Sequence, residues 1–152
     1  MTPEQKVIEL GIELSNASAP AARYANCVLV NDLLYISGKG PQLLNGICSK
    51  GRLGKEFTTS EGYAIARSVG VELLNVLKSE LGSLNRVKQI VEIQGFINAV
   101  PEFEEHAQVL NGLSDLLIDV FGPEGRHARS VFGASSLRDG LPVIARGVVQ
   151  IR

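Results

Sequence analysis

The strongest constraint on this chain is a change of hydrophobic period between residues 58 and 97. Thr58-x-x-Glu61 is a capping box, in which hydroxyl and carboxylate satisfy the free amides of a helix start. Behind it Ile65, Val69, Leu73, Val76, Leu77 and Leu81 recur on one face, and Gly82 supplies a left-handed stop. Next, Val87, Val91, Ile93 and Ile97 alternate with Lys88, Glu92 and Gln94, the period of a half-buried strand. A helix with one apolar stripe feeding a strand with one apolar face has to fold as layers, helix against sheet. With 152 residues and 16.3 kDa the chain can bury one such core, so residues 1–152 read as a single domain.

The flanking sequence predicts the remaining elements. Thr2-Pro3-Glu4-Gln5 opens a short helix carrying Val7, Leu10 and Leu14, and residues 1–19 form an amino-terminal helical extension. Cys27–Val30 and Leu33–Ser37 flank Asn31-Asp32, a pair that tolerates left-handed angles, and read as a hairpin. Pro101 starts a second long helix, with Glu102, Glu104 and Glu105 at its positive end. Phe103, Ala107, Leu110, Leu117 and Phe121 form its apolar face, and Gly122-Pro123 ends it. Ala128–Ser136 and Leu141–Ile151 read as strands joined in a hairpin across Asp139-Gly140. The result is an α+β fold, two long helices on one face of a mixed sheet. Leu34, Ile36, Val91, Ile93, Val131 and Val143 are more apolar strand surface than two helices shield, which points to self-association through the sheet.

Several functions are excluded by composition. A net charge of −1 argues against a general nucleic-acid binder, and no apolar run is long enough to span a membrane. Cys27 and Cys48 have no Cys-x-x-Cys spacing, and with only His106 and His127 besides, neither a metal site nor a cofactor is expected. No secretory signal is visible, so a cytoplasmic protein with reduced thiols is expected. The glycine-rich stretch from Gly38 to Gly54 lacks the ending of a phosphate-binding loop and reads as a long surface loop. Arg126-His127-Ala128-Arg129-Ser130 is the richest polar constellation. There Arg129 reads either as a bidentate fork for a carboxylate or as a solvated arginine.

The order of motifs resembles the YjgF-like family, also called Rid (reactive intermediate deaminase) proteins or endoribonuclease L-PSP. The matching features are Tyr24, Leu34-Tyr35-Ile36-Ser37-Gly38, Leu74-Asn75-Val76-Leu77, Phe103, and Ala128-Arg129-Ser130 leading to Leu137 and Gly140, within roughly residues 20–151. The resemblance implies a chorismate-mutase-like fold and a homotrimer with small-molecule clefts between subunits. It implies that Arg129 binds the carboxylate of a 2-imino acid, with Tyr24, Ser37, Gly38 and Asn111 in the cleft. The family's water-positioning glutamate falls at Ile144, a second glutamate at Arg146, a frequent cysteine at Val131, and a frequent glutamine at Lys39. An aliphatic side chain neither activates nor orients water. If Asp139-Gly140 closes a hairpin, Arg129 lies opposite Gln150, and Ile144 and Arg146 share its face in an arginine-rich pocket.

The expected function is therefore a Rid-like protein that binds a small carboxylate or other anionic metabolite between subunits, on Arg129, Tyr24, Ser37, Gly38, Lys39, Asn111, Ile144 and Arg146. Hydrolysis of an unidentified substrate is one version. A non-catalytic metabolite-binding or interaction protein is the alternative, and endoribonuclease, with His106 and His127 as acid and base, is a third.

Overall fold

The structure is a computed structural model that describes residues 1–42 and 49–152. Cys48 lies outside the described residues. In chain order the elements are α1 (Pro3–Glu9), β1 (Cys27–Val30), β2 (Leu33–Lys39), α2 (Thr59–Leu81), β3 (Val87–Asn98), α3 (His106–Phe121), β4 (Ala128–Ala134) and β5 (Val143–Ile151). Both predicted capping boxes form, with Thr2 accepting from Gln5 N and Thr58 from Glu61 N. Gly82 closes α2 at φ 78°, a left-handed angle that costs glycine little. Asn31 at φ 55° makes the β1–β2 turn.

Strand order is β1-β2-β5-β3-β4, and all pairs are antiparallel except β3–β4. The predicted β4–β5 hairpin does not form. Asp139 and Gly140 do take the positive φ angles of a tight turn. The loop holding them is tied elsewhere, however: Gly51 N donates to Gly140 O, Asn98 N to Pro142 O, and Asn98 Nδ2 to Leu141 O. It carries the chain across the end of β3, so β5 enters between β2 and β3 and Arg129 pairs with Ile93 instead of Gln150.

Three other expectations need correction. Helix α3 starts at His106 because Pro101 and Glu102 form a turn and Glu105 caps without a side-chain bond, which leaves Phe103 ahead of the helix and Ala107 exposed. In β3, register shifts at Val87/Gln89 and Ile90/Glu92 reset the alternation, so Ile90 is buried and Val91 faces outward. The surface-loop reading fails at both ends: β2 runs through Gly38 to Lys39, and Leu53 is fully buried.

Helices α2 and α3 pack on one sheet face, where Val69, Leu73, Leu77, Leu110, Leu113 and Leu117 meet Leu34, Ile36, Ile93, Ile97 and Val143. The helices approach closely at Gly112, where a Cβ would strike the Tyr63 carbonyl. Of the six residues expected to demand a partner, four are buried here, Val131 packs partly against the core and only Val91 is exposed. The opposite face is nonetheless apolar, built from other residues. Val28, Tyr35, Phe96, Phe132, Ile144 and Val148 lie on it, with Phe96 and Phe132 stacked at 5.8 Å and Phe132 half exposed.

Helix α1 docks through buried Val7 and through Glu4, which accepts from Lys78 Nζ and Leu84 N at 2.7 Å each. The stretch between α1 and β1 then hydrogen-bonds along α2, Ser15 N to Asn75 Oδ1 and Ser18 N to Glu72 Oε1.

Candidate functional site

Arg129 enters on the helix-covered side of β4, an edge strand, beneath α3. Its Nη1 donates to Asn111 Oδ1 at 2.8 Å and to Ser114 Oγ at 3.2 Å, two neutral acceptors one turn apart on α3. Among the described residues no carboxylate lies within ion-pair distance of Arg129, and no protein acceptor meets its Nε or Nη2. One nitrogen is spent on positioning and the rest of the fork is available. Ser114 Oγ also lies 2.9 Å from His127 Nε2, while His127 Nδ1 is 2.7 Å from Gly125 O. Burial pushes the His127 imidazolium below its ordinary range and Arg129 adds to this, against the opposing Gly125 hydrogen bond. Ser114, Ile118, Arg126, His127 and Arg129 line a cavity of about 190 Å³.

The other predicted cation is built differently. Lys39 is 4% exposed, and its Nζ donates to Ser18 O, Ser18 Oγ and Asn26 Oδ1 at 2.9, 3.1 and 2.6 Å. All three ammonium protons are therefore used. Buried Glu72 accepts from Ser18 N, Ser18 Oγ and Asn75 Nδ2 on the far side of the same serine. Burial pulls the Lys39 ammonium below its usual value, with Glu72 opposing. Tyr24, Gly38 and Lys39 line a cavity of about 700 Å³, whose wall also carries Arg138, Lys50 and the carboxylates of Glu72 and Asp139. Ser37 stands beside them, but its hydroxyl is committed to Ala25 O at 2.6 Å.

Residues 4–142 match the family described as "YjgF/chorismate mutase-like, putative endoribonuclease". The chain belongs to this family. Protein TCP17 of Trypanosoma cruzi is 40% identical over 143 residues, covering 93% of this chain and 89% of its own. A "putative endoribonuclease" from Shewanella oneidensis has a solved structure of TM-score 0.95 at 32% identity, covering 99% of this chain and 100% of its own. Protein Atu1372 from Agrobacterium tumefaciens gives 0.89 at 33%, covering 99% and 94%. The family match begins at residue 4, inside α1, ahead of the motifs that carried the resemblance.

In this YjgF-family chain the eight expected site residues fall into separate groups. Asn111 and Arg129 are in direct contact. Tyr24, Gly38 and Lys39 lie together at β2, where Ile144 joins them: a Cβ on Gly38 would sit 3.1 Å from Ile144 Cγ2. Arg146 stands apart. Its register partner is Gln94, so it lies on the outer sheet face, and it bonds Gln94 Oε1 at 3.5 Å and pairs with Glu92 at 3.8 Å. Ile144 and Arg146 thus project from the face opposite Arg129, and the expected arginine-rich pocket does not exist within one chain. The cause is the missing hairpin, since pairing β4 with β3 moves Arg129 to the register of Ile93 and Gly147.

Ser114 and Glu72 do not emerge from the sequence, and His127 emerges only as the acid/base partner of His106. A signal existed for Ser114 and for His127 beside Arg129: Asn111 and Ser114 are one turn apart on a helix, and His127 precedes Arg129 by the two-residue repeat of a strand. His106 belongs elsewhere, edge-on to Phe103 with ring centroids 5.2 Å apart. It is eight helix positions from Ser114, roughly 12 Å along α3, so the two histidines do not form an acid/base pair. Burial, with Glu80 adding, raises the Cys27 thiol to about 11, which leaves it unreactive at neutral pH.

Proposed function

We propose that this protein binds a small carboxylate on Arg129, in a cleft completed by a second copy of the chain in a homotrimer. The observation that carries the reading is the state of the Arg129 guanidinium, held by neutral Asn111 and Ser114 with a donor edge left over. A planar edge of that kind matches a carboxylate bidentately. Gly38 on β2 is three strand positions from β4 in the order β2-β5-β3-β4, roughly 14 Å at ordinary strand spacing, and Ile144 on β5 is two positions away on the opposite sheet face. No small acid touches both Arg129 and these residues within one chain. An edge strand bearing Arg129 and an apolar outer face around Phe132 and Tyr35 favour meeting of the two halves across an interface. Such a trimer has a mass of about 49 kDa, three times 16.3 kDa. Free Cys27 suits a reducing compartment such as the cytoplasm.

Ile144 favours a second reading in which the pocket binds and does no chemistry, because no side chain at that position acts on water. Both readings share the anchor, and calorimetric titration with 2-oxobutyrate tests it. Arg129→Ala is expected to weaken binding by about 1.5–3 kcal/mol, the worth of a charge-assisted contact. Equal affinity in wild type and variant places the anion elsewhere. Sedimentation showing a stable monomer removes the two-copy cleft.

A further inference from the structure

The cavity of about 700 Å³ that Tyr24 and Gly38 line also holds two cations, Lys50 and Arg138, which the Arg129 site does not use. Their backbones are fixed against each other. Gly51 N donates to Gly140 O at 2.9 Å and Leu141 N to Arg138 O at 3.1 Å, so residue 50 lies along the turn at 138–140. The stem of Lys50 crosses Gly140, where a Cβ would meet Lys50 Cβ, Cγ and Cδ at 3.6, 3.8 and 3.9 Å. From the other side of the turn Arg138 comes near enough to Lys39 for the two positive charges to oppose each other.

Donor counts separate these two cations from Lys39. Among the described residues no acceptor meets the Lys50 ammonium, so its three protons are available. Arg138 gives Nη1 to Asp139 Oδ2 at 3.3 Å, an exposed pair that contributes little, and its Nε and Nη2 meet no described acceptor. The charged lining is three cations, Lys39, Lys50 and Arg138, against two carboxylates, Glu72 and Asp139. Lys39 and Glu72 offset each other across Ser18, and Arg138 and Asp139 are neighbours, so the positive charge left over is that of Lys50. Ala19, Ala21 and Leu141 add an apolar wall to the same cavity.

We propose that Lys50 and Arg138 form a second anion anchor, and that the ligand class of this protein is a short dicarboxylic acid with one charge on Arg129 and the other on this pair. The inference rests on the carboxylate-binding reading and narrows its ligand. One carboxylate lies on Arg129 of one copy. Tyr24 and Gly38, the residues of the neighbouring copy expected across the cleft, also line this cavity, so the far end of the same molecule runs along them toward Lys50 and Arg138. The methylene chain between the charges lies on the apolar wall, and the distal carboxylate meets the Lys50 ammonium and the free edge of Arg138. A cavity of this size holds such a tail together with its waters. A monoacid leaves both cations facing solvent.

The test is calorimetry with three probes: 2-oxobutyrate, 2-oxoglutarate, and the 5-methyl ester of 2-oxoglutarate, which keeps the length and loses the distal charge. Wild type is expected to bind 2-oxoglutarate on the order of tenfold more tightly than either of the others. That advantage should shrink as salt is raised, because Lys50 and Arg138 are exposed. Lys50→Met combined with Arg138→Met is expected to bring 2-oxoglutarate down to the affinity of the ester, while 2-oxobutyrate stays within about twofold of wild type. Lys88→Met, which removes an exposed cation outside the cavity, is expected to leave the preference intact. Wild type that binds 2-oxobutyrate but gives 2-oxoglutarate no advantage overturns the inference and leaves the carboxylate reading standing, as does an advantage that survives the double substitution. Failure of all three probes to bind overturns the reading and the inference together. So does tight 2-oxoglutarate binding that Arg129→Ala does not weaken, since the acid then sits on Lys50 and Arg138 alone.

Discussion

Arg129 and Lys39 are both semi-enclosed cations at strand positions, yet their surroundings give them opposite uses. Lys39 has every proton committed to Ser18 and Asn26, with buried Glu72 on the other side of Ser18. Arg129 has one nitrogen committed to Asn111 and Ser114 and a donor edge without a described acceptor. Charge alone therefore does not identify a ligand anchor; the count of unspent donors does. Lys39 is a fastener that holds the segment before β1 against α2 and β2, and Arg129 is the cation that the proposed binding uses.

The sharpest way to break this contrast is to remove each cation and measure stability. Lys39→Met leaves Asn26 Oδ1 without its donor and removes a cation near buried Glu72, an expected loss of about 1–3 kcal/mol in chemical denaturation. Arg129→Ala should cost less than about 1 kcal/mol there, since Asn111 is only half-buried and Ser114 keeps its bond to His127, while removing the 1.5–3 kcal/mol of carboxylate affinity. Comparable destabilisation by both substitutions would erase the distinction.

A smaller effect concerns how Arg129 is held. Asn111→Ala removes one of the two acceptors that aim Nη1, so 2-oxobutyrate affinity should fall by about 0.5–1.5 kcal/mol with little change in unfolding. Loss equal to that of Arg129→Ala would mean that Asn111 itself contacts the ligand.

The smallest expected effect is a pH slope. The folded-state value of His127 lies below the ordinary 6.5, so the unfolded chain takes up a proton first as pH falls. Its contribution to stability is complete above about 6.5 and is lost as the pH drops from there through the lower folded-state value. Thermal unfolding of wild type and His127→Gln should diverge above that range and converge below it.

What was legible in the sequence follows from how local the deciding contacts are. The caps at Thr2 and Thr58, the Gly82 stop and the Asn31 turn depend on neighbours within a few residues, and all four form. The partner of β4 depends on sheet order, and turn chemistry at Asp139-Gly140 could not reveal that the loop is tied to Gly51 and Asn98. Val91 and Ile90 exchanged faces because register shifts, invisible in an alternating pattern, reset the phase. Within the site, family resemblance names both Asn111 and Arg129 as cleft residues, and the structure puts the two in contact. The Lys39 environment was not, since Ser18 and Glu72 lie 21 positions before it and 33 after it and meet it only through the folded layers.

The most direct test is a crystal structure of the protein grown with 2-oxobutyrate. The expected result is a carboxylate on the Nε and Nη2 edge of Arg129, opposite the Nη1 held by Asn111 and Ser114, and Gly38 of a neighbouring copy across the cleft. An acid bound instead in the cavity between Lys50 and Arg138, with the Arg129 edge empty, would contradict the assignment of anchor and fastener.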